Sequence, residues 1–323
     1  ASVAVDTSIV GPPQAVMITP DQKLAIVGAT NRYNYAAKCI ILDNAIQVVD
    51  LEAQPPCLTG RVDIGHHPHG LAINHAGNLL LVACTDGTLV VLAIEGKTLT
   101  VRQQIKLSER RLASVAITPD DSAALVTLRD DQGVAVLAIE NGKVAETPCQ
   151  RISTGVAPYA IDISANGLWA IVGNVGLGGL PPAPGISVGD QDSATLISLA
   201  QRPFRAVQHL TVPSIPEGVA ISPDNRWIAV LAMDGSNLPP SNPGSQPHGQ
   251  LLLLALDDKG ATEVARLPAG VAAQGVIFTA DSRYILAQFN VEQQIAVYAV
   301  NNGSLQDTGT RLPVRGGPSS LRA

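Results

Sequence analysis

The chain has few aromatic residues, little charge and almost no methionine. Of its 323 residues only 3% are Phe, Trp or Tyr and 15% are charged, with two Met and two Trp. Lys and Arg (21) fall below Asp and Glu (27), leaving a formal net charge of -6 at pH 7, so the basic face that nucleic-acid binding needs is missing. Apolar runs are short: Leu251–Leu256, among the longest, has the length of a strand, against the roughly 18 residues of a membrane-crossing helix. The four cysteines, Cys39, Cys57, Cys84 and Cys149, form no Cys-x-x-Cys pair, which argues against structural zinc. They read as inert buried thiols; a disulfide among them would call for an oxidising compartment. Gly-x-Ser-x-Gly, His-Glu-x-x-His, Walker and Cys-x-x-Cys-His motifs are all absent, which removes the corresponding chemistries. The hydrophobic fraction, 46%, with 29 Gly and 23 Pro, describes an ample aliphatic core cut by many turns.

That material is organised as a repeat. Gln14-Ala15-Val16-Met17-Ile18-Thr19-Pro20-Asp21 recurs as Val115-Ala116-Ile117-Thr118-Pro119-Asp120 and as Glu217-Gly218-Val219-Ala220-Ile221-Ser222-Pro223-Asp224. Looser copies start at His69, Tyr159 and Gln274. The unit is plainest in Ala113–Thr154. There, apolar strands over Ala113–Thr118, Ala123–Leu128 and Val134–Ile139 alternate with polar turns, and a more polar fourth strand covers Val144–Ser153. Equivalent points at Ala15, Gly70, Ser114, Ala160, Gly218, Gly275 and Ser319 are separated by 55, 44, 46, 58, 57 and 44 residues. Four short strands in about 44 residues is the pattern of a β-propeller blade. The longer steps carry insertions between second and third strands, at Ala29–Asn44, Asn174–Ser193 and Met233–Gly249.

The expected fold is therefore all-β, a single β-propeller domain over residues 1–323 with four-stranded antiparallel blades. Six complete units are visible. A rim-like strand at Ser2–Ile9 and the start of a further unit at Gly317–Leu321 point to seven blades, with six as the alternative. The second strands end in Ile26-Val27-Gly28-Ala29-Thr30-Asn31, Leu81-Val82-Ala83-Cys84-Thr85-Asp86-Gly87 and Ile171-Val172-Gly173-Asn174, each after its Ser/Thr-Pro-Asp or equivalent turn. With those turns the chain resembles the YVTN-type propeller repeat, a group similar to the lactonase-like propellers that include 6-phosphogluconolactonase and carboxymuconate-lactonising enzymes. The resemblance runs along essentially the whole chain.

Function is sought where the copies disagree. The residue just before or at the start of each first strand is Gln14, His69, Ala113, Tyr159, Glu217, Gln274 or Pro318. In a propeller this position faces the mouth of the axial channel. His66-His67-Pro68-His69 is the densest cluster of titratable groups, and His67 and His69, two apart on a strand, share a face. They are the candidate ligands of a divalent metal, with Glu217 or His248 to complete the set. The lactonase-like resemblance implies chemistry on this face by His, Glu and Arg, which places His69, Glu217 and Arg111 in the catalytic roles. Arg111 would bind a carboxylate or polarise a lactone carbonyl, and Glu217 or His69 would move a proton.

The insertions add Asn31-Arg32-Tyr33-Asn34-Tyr35 and two Pro-rich loops, which commonly shape a pocket. Gln14, Tyr33, Tyr159, Gln274 and His248 are accordingly expected to contact a ligand, and Asp190, Asp192 and Asp234 are candidates for calcium. Two functions fit: a propeller that binds a small molecule or a protein on its loop-rich face, which the sequence favours, and a lactonase-like hydrolase or isomerase acting on a small oxygenated acid or lactone. The chain opens Ala-Ser-Val without Met, which reads as a mature secreted or periplasmic protein, or as a trimmed cytoplasmic one.

Overall fold

The computed structural model describes residues 15–28, 31–34, 37–177, 191–316 and 320–321. They build six four-stranded antiparallel sheets in chain order. Sheet I holds β1 (Ala15–Ile18), β2 (Leu24–Gly28), β5 (Ala45–Asp50) and β6 (Cys57–Asp63), and a hairpin of β3 (Asn31–Asn34) and β4 (Cys39–Leu42) occupies its insertion. Sheet II is β7 (Pro68–Ile73), β8 (Leu79–Cys84), β9 (Thr88–Glu95) and β10 (Thr98–Lys106). Sheet III is β11 (Leu112–Ile117), β12 (Ala123–Leu128), β13 (Gly133–Glu140) and β14 (Lys143–Val144), with β15 (Gln150–Ser153) also pairing β13. Sheet IV is β16 (Pro158–Ile163), β17 (Trp169–Asn174), β18 (Asp192–Ser198) and β19 (Arg205–Val212). Sheet V is β20 (Gly218–Ile221), β21 (Trp227–Ala232), β22 (Gln250–Asp257) and β23 (Gly260–Pro268). Sheet VI is β24 (Ala273–Phe278), β25 (Tyr284–Phe289), β26 (Gln294–Asn301) and β27 (Ser304–Pro313). Ser2–Ile9 and Gly317–Ser319, on which a seventh blade rests, lie outside the described residues. The fourth strand expected over Val144–Ser153 is broken into β14 and β15, and Pro148, which has no N–H to give the ladder, stands in the gap.

The chain divides into two compact units, one of residues through Leu128 with Ala135–Cys149, the other of Arg129–Val134 with Gln150–Leu321. Strand periodicity explains each core. In the first unit, Leu80, Val82, Val90 and Leu92 of sheet II pack on Ile26, Ile46 and Val48 of sheet I. The alternate residues Leu81, Ala83, Leu89 and Val91 pack on Val115, Val126 and Leu137 of sheet III. Both faces of one sheet are thus covered by neighbours, which is why β8 reads as an unbroken apolar run rather than an alternation. The second unit repeats this about sheet V: Ile228, Val230 and Leu252 meet Ile171 and Leu196 of sheet IV, while Leu231, Leu251 and Leu253 meet Val276, Ile285 and Tyr298 of sheet VI.

The repeated Ser/Thr-Pro-Asp turn solves a hydrogen-bonding problem. Thr118 is buried, and its hydroxyl donates to Asp120 Oδ1 (2.6 Å) while accepting from Ala123 N (3.0 Å). Thr19 with Asp21 and Leu24, Ser222 with Asp224 and Trp227, and Thr279 with Asp281 and Tyr284 make the same pair of bonds. Ser164 does so with Asn166 and Trp169, so an amide serves where the carboxylate is missing. Satisfying a buried hydroxyl and a strand-opening N–H together is worth about 1–3 kcal/mol per turn.

A second repeated device has no signature in adjacent residues. On the outer strands a glutamine amide bonds both backbone groups of one residue in the next sheet. Gln103 takes Val144 N (2.9 Å) and gives to Val144 O (2.8 Å). Gln208 does the same with Ala261 (2.9 and 2.8 Å). Gln150 pairs likewise with Phe204.

Candidate active site

In the second unit three successive linkers enter their sheets in the same unusual way. Ala157, Ile215 and Ala272 have φ of 53°, 56° and 50°, the left-handed region. Each stands two residues before a position at which the repeat varies: Tyr159, Glu217 and Gln274. For a β-branched residue such as Ile215 this conformation is strained. Two of the linkers are held through their carbonyls and all three through their N–H groups. Ala157 O accepts from Val175 N (3.0 Å) and Ile215 O from Met233 N (3.1 Å), each from its own sheet's second strand exit. The N–H groups are caught by side chains of the preceding sheet: Ala157 N by Gln132 Oε1 (2.7 Å), Ile215 N by Asp192 Oδ2 (2.7 Å) and Ala272 N by Ser236 Oγ (3.1 Å).

These linkers bring four side chains together. Arg129 opens the short 3₁₀ turn Arg129–Asp131 and lays its guanidinium over the Tyr159 ring, 4.9 Å from the centroid. Arg129 and Tyr159 both act electrostatically on or with Glu217, and Gln274 gives its carboxylate a hydrogen bond. Gly218 makes this approach geometrically possible, because a Cβ there would collide with the Gln274 carbonyl oxygen. Burial pushes the Glu217 carboxyl up to about 7, against the opposing pull of Arg129 and the Gln274 amide. Burial likewise pushes the Tyr159 phenol up, with the Glu217 charge adding to it, so Tyr159 stays a protonated donor near neutral pH. Tyr159, Glu217 and Gln274 are only half-buried, and Gln274 Oε1 is enclosed without a partner. A carboxyl poised near neutrality beside a fixed cation and a phenol is equipped to transfer a proton while an anionic or carbonyl oxygen is held.

No family model matches the chain and no curated protein matches it in sequence. Solved structures do match it along nearly its whole length. A Kuenenia stuttgartiensis hydrazine synthase structure superposes at a TM-score of 0.74 with 17% identity, covering 98% of this chain and 90% of that one. A 6-phosphogluconolactonase candidate from Bacteroides uniformis gives 0.74 with 16% identity, covering 95% and 87%. The periplasmic gluconolactonase PpgL of Pseudomonas aeruginosa gives 0.69 with 20% identity, covering 96% and 87%. The chain has a β-propeller fold, shared with these structures.

Of the residues expected to form this propeller's site, Glu217, Tyr159 and Gln274 come together in the second unit. Arg129, which reads in the sequence as part of a polar turn, supplies their cation. A signal for it exists: it lies in a second-to-third-strand connection, and those connections open on the same face as position 159. His248 is exposed in the sheet V insertion. Tyr33 lies in β3, Gln14 and Asp190 lie outside the described residues, and Asp234, half-buried, has its carboxyl pushed up by burial and hydrogen-bonded by Gln250.

His69 and Arg111 belong to the first unit, both half-buried. There the histidines are each held through Nδ1: His66 by Asp86 Oδ2 (2.5 Å), His67 by Asp43 O (2.9 Å) and His69 by Ala113 O (2.7 Å). Among the described residues no group of three His, Cys, Asp or Glu could hold a metal ion, so His67 and His69 do not assemble a metal's donor set. The thiols also depart from expectation. None of the four is in a disulfide and only Cys84 is buried; Cys39, Cys57 and Cys149 are exposed. Cys57 lies in the outer strand β6, and Cys149 lies in the gap before β15, where its thiol donates to Val136 O (3.4 Å).

Proposed function

We propose that the protein is a lactonase-like hydrolase acting on a small oxygenated acid or its lactone, with Glu217 as the proton-transfer residue and Arg129 as the substrate-binding cation. The observation that carries this reading is the Glu217 carboxyl, raised to about 7 by burial within reach of Arg129, Tyr159 and Gln274. A base with that value is half-ionised at neutral pH, where proton transfer is most effective. In the proposed step Glu217 takes a proton from water as the water oxygen bonds to the lactone carbonyl carbon. The ring C–O bond then breaks, and the same proton passes to the departing alkoxide, giving the open hydroxy acid. Arg129 steadies the charge that develops on the carbonyl oxygen, and the Tyr159 hydroxyl is a further donor to it. His69 and Arg111, which belong to the first unit, are given no part in this step. The likeness to a periplasmic gluconolactonase supports a periplasmic or secreted location.

The test is hydrolysis of glucono-δ-lactone and related γ- and δ-lactones, followed by acid release above the uncatalysed rate. We expect kcat/KM to rise with pH through about 7 and then level, since only the ionised carboxyl is a base. Glu217→Gln should lower kcat by roughly 10²–10⁴-fold. Binding of the acid with no turnover on any lactone would leave a purely ligand-binding propeller, and turnover untouched in Glu217→Gln would remove Glu217 from the chemistry.

A further inference from the structure

Among the described residues, non-glycine left-handed linkers stand before variable positions in the second unit and not in the first. Among the described residues, the positions two before His69 and Ala113, namely His67 and Arg111, do not have positive φ. The three non-glycine positions that do, Ala157, Ile215 and Ala272, lead to Tyr159, Glu217 and Gln274, and Gly316, two before Pro318, has φ 82° as well. Ile215 bears the greatest strain, since two substituents on its Cβ crowd the backbone at φ 56°. It is nevertheless buried, packed with Ala157, Val175 and Met233. Its carbonyl accepts from both Met233 N (3.1 Å) and Glu217 N (3.0 Å), so the backbone of Glu217 is tied directly to the strained residue. The counterpart on its N–H side is the Asp192 carboxylate at 2.7 Å. That carboxylate itself needs a gap in the neighbouring segment: a Cβ on Gly176 would overlap Asp192 Oδ1, and Gly176 has φ 59° besides.

We propose that Asp192 is a positioning residue for Glu217: by holding the N–H of Ile215 in its left-handed conformation it fixes where the Glu217 carboxyl sits relative to Arg129 and Gln274. Asp192 touches none of the reacting atoms. It acts from β18 of sheet IV on the linker that enters sheet V. Releasing Ile215 lets the linker relax to negative φ, which turns Glu217 out of its enclosure and toward water.

The readout is the titration of Glu217 itself, followed by carboxyl ¹³C NMR on the full chain and assigned by the signal lost in Glu217→Gln. It is read without substrate, so it stands apart from whether lactone hydrolysis is found. In Asp192→Ala and Asp192→Ser, which cannot reach Ile215 N, the midpoint should fall by at least about one unit toward the ordinary carboxylate value. Asp192→Asn keeps an acceptor oxygen and should leave the midpoint within a few tenths. If the Ala or Ser variant folds and Glu217 titrates as in the wild type, the proposal is overturned. If neither folds while Asn does, Asp192 holds the fold rather than the carboxyl, and the proposal is overturned as well.

Discussion

Two opposing effects meet at Glu217. Removal from water favours the neutral acid, and Arg129 with the Gln274 amide favours the anion; burial wins, leaving the group near 7. The balance predicts the effect of each partner. Arg129→Ala removes one of the two groups that lower the value and leaves burial in place, so the Glu217 midpoint should rise above about 7. Arg129→Lys, which keeps the charge, should hold it closer to wild type. A midpoint that falls in Arg129→Ala would show that the arginine shields the carboxyl from water rather than acting through its charge. Arg129 also covers the Tyr159 ring, so the same variant frees the ring to move. The sequence made Glu217, Tyr159 and Gln274 visible because the repeat sets a background against which they differ. Arg129 stands in a turn, where charged residues are the rule.

The turns and seams are the devices on which each sheet depends. Thr118 is buried, and its hydroxyl both donates and accepts. Thr118→Val leaves Ala123 N and Asp120 without that partner and should cost about 1–3 kcal/mol, measured by urea unfolding, while Thr118→Ser should cost under about half of that. The Ser/Thr-Pro-Asp pattern is legible because its three residues are adjacent. The glutamine clasps are not: Gln103 and Val144, or Gln208 and Ala261, are far apart in the chain, and one glutamine on a polar strand looks like any solvated side chain. The broken fourth strand of sheet III is an intermediate case, since Pro148 is in plain view but the polar alternation around it outweighs it.

At the scale of the molecule, low charge and repeated acidic turns set the response to acid. The Asp281 carboxyl is held down to about 2 by the Thr279 hydroxyl and by Arg283, and Asp21 and Asp120 are lowered in the same way, chiefly by Thr19 and Thr118. A carboxylate lowered on folding lends stability that is complete above its unfolded value and is lost as pH falls through the folded one. The chain should therefore hold its stability down to about pH 4 and lose it between about 4 and 2. Asp281→Asn, which keeps the turn's acceptor as the chain's own Ser164–Asn166 turn does, should flatten that loss by giving up near neutrality the stability that the carboxylate lends there. An unaltered acid transition in the variant would show that these turns do not govern it.

The sequence by itself determined the all-β propeller architecture, the positions of the insertions and the register of the variable residues. These follow from neighbours in the chain: strand alternation, turn chemistry and a period near 44 residues are all local. Only the tertiary structure decided that Arg129 meets Glu217, that three histidines spend their Nδ1 atoms on separate acceptors, and that Asp192 and Gly176 hold Ile215 in a strained linker. Those outcomes depend on which loops of successive sheets are brought face to face and on how far each carboxyl is withdrawn from water, and neither distance nor desolvation is written in the order of the residues.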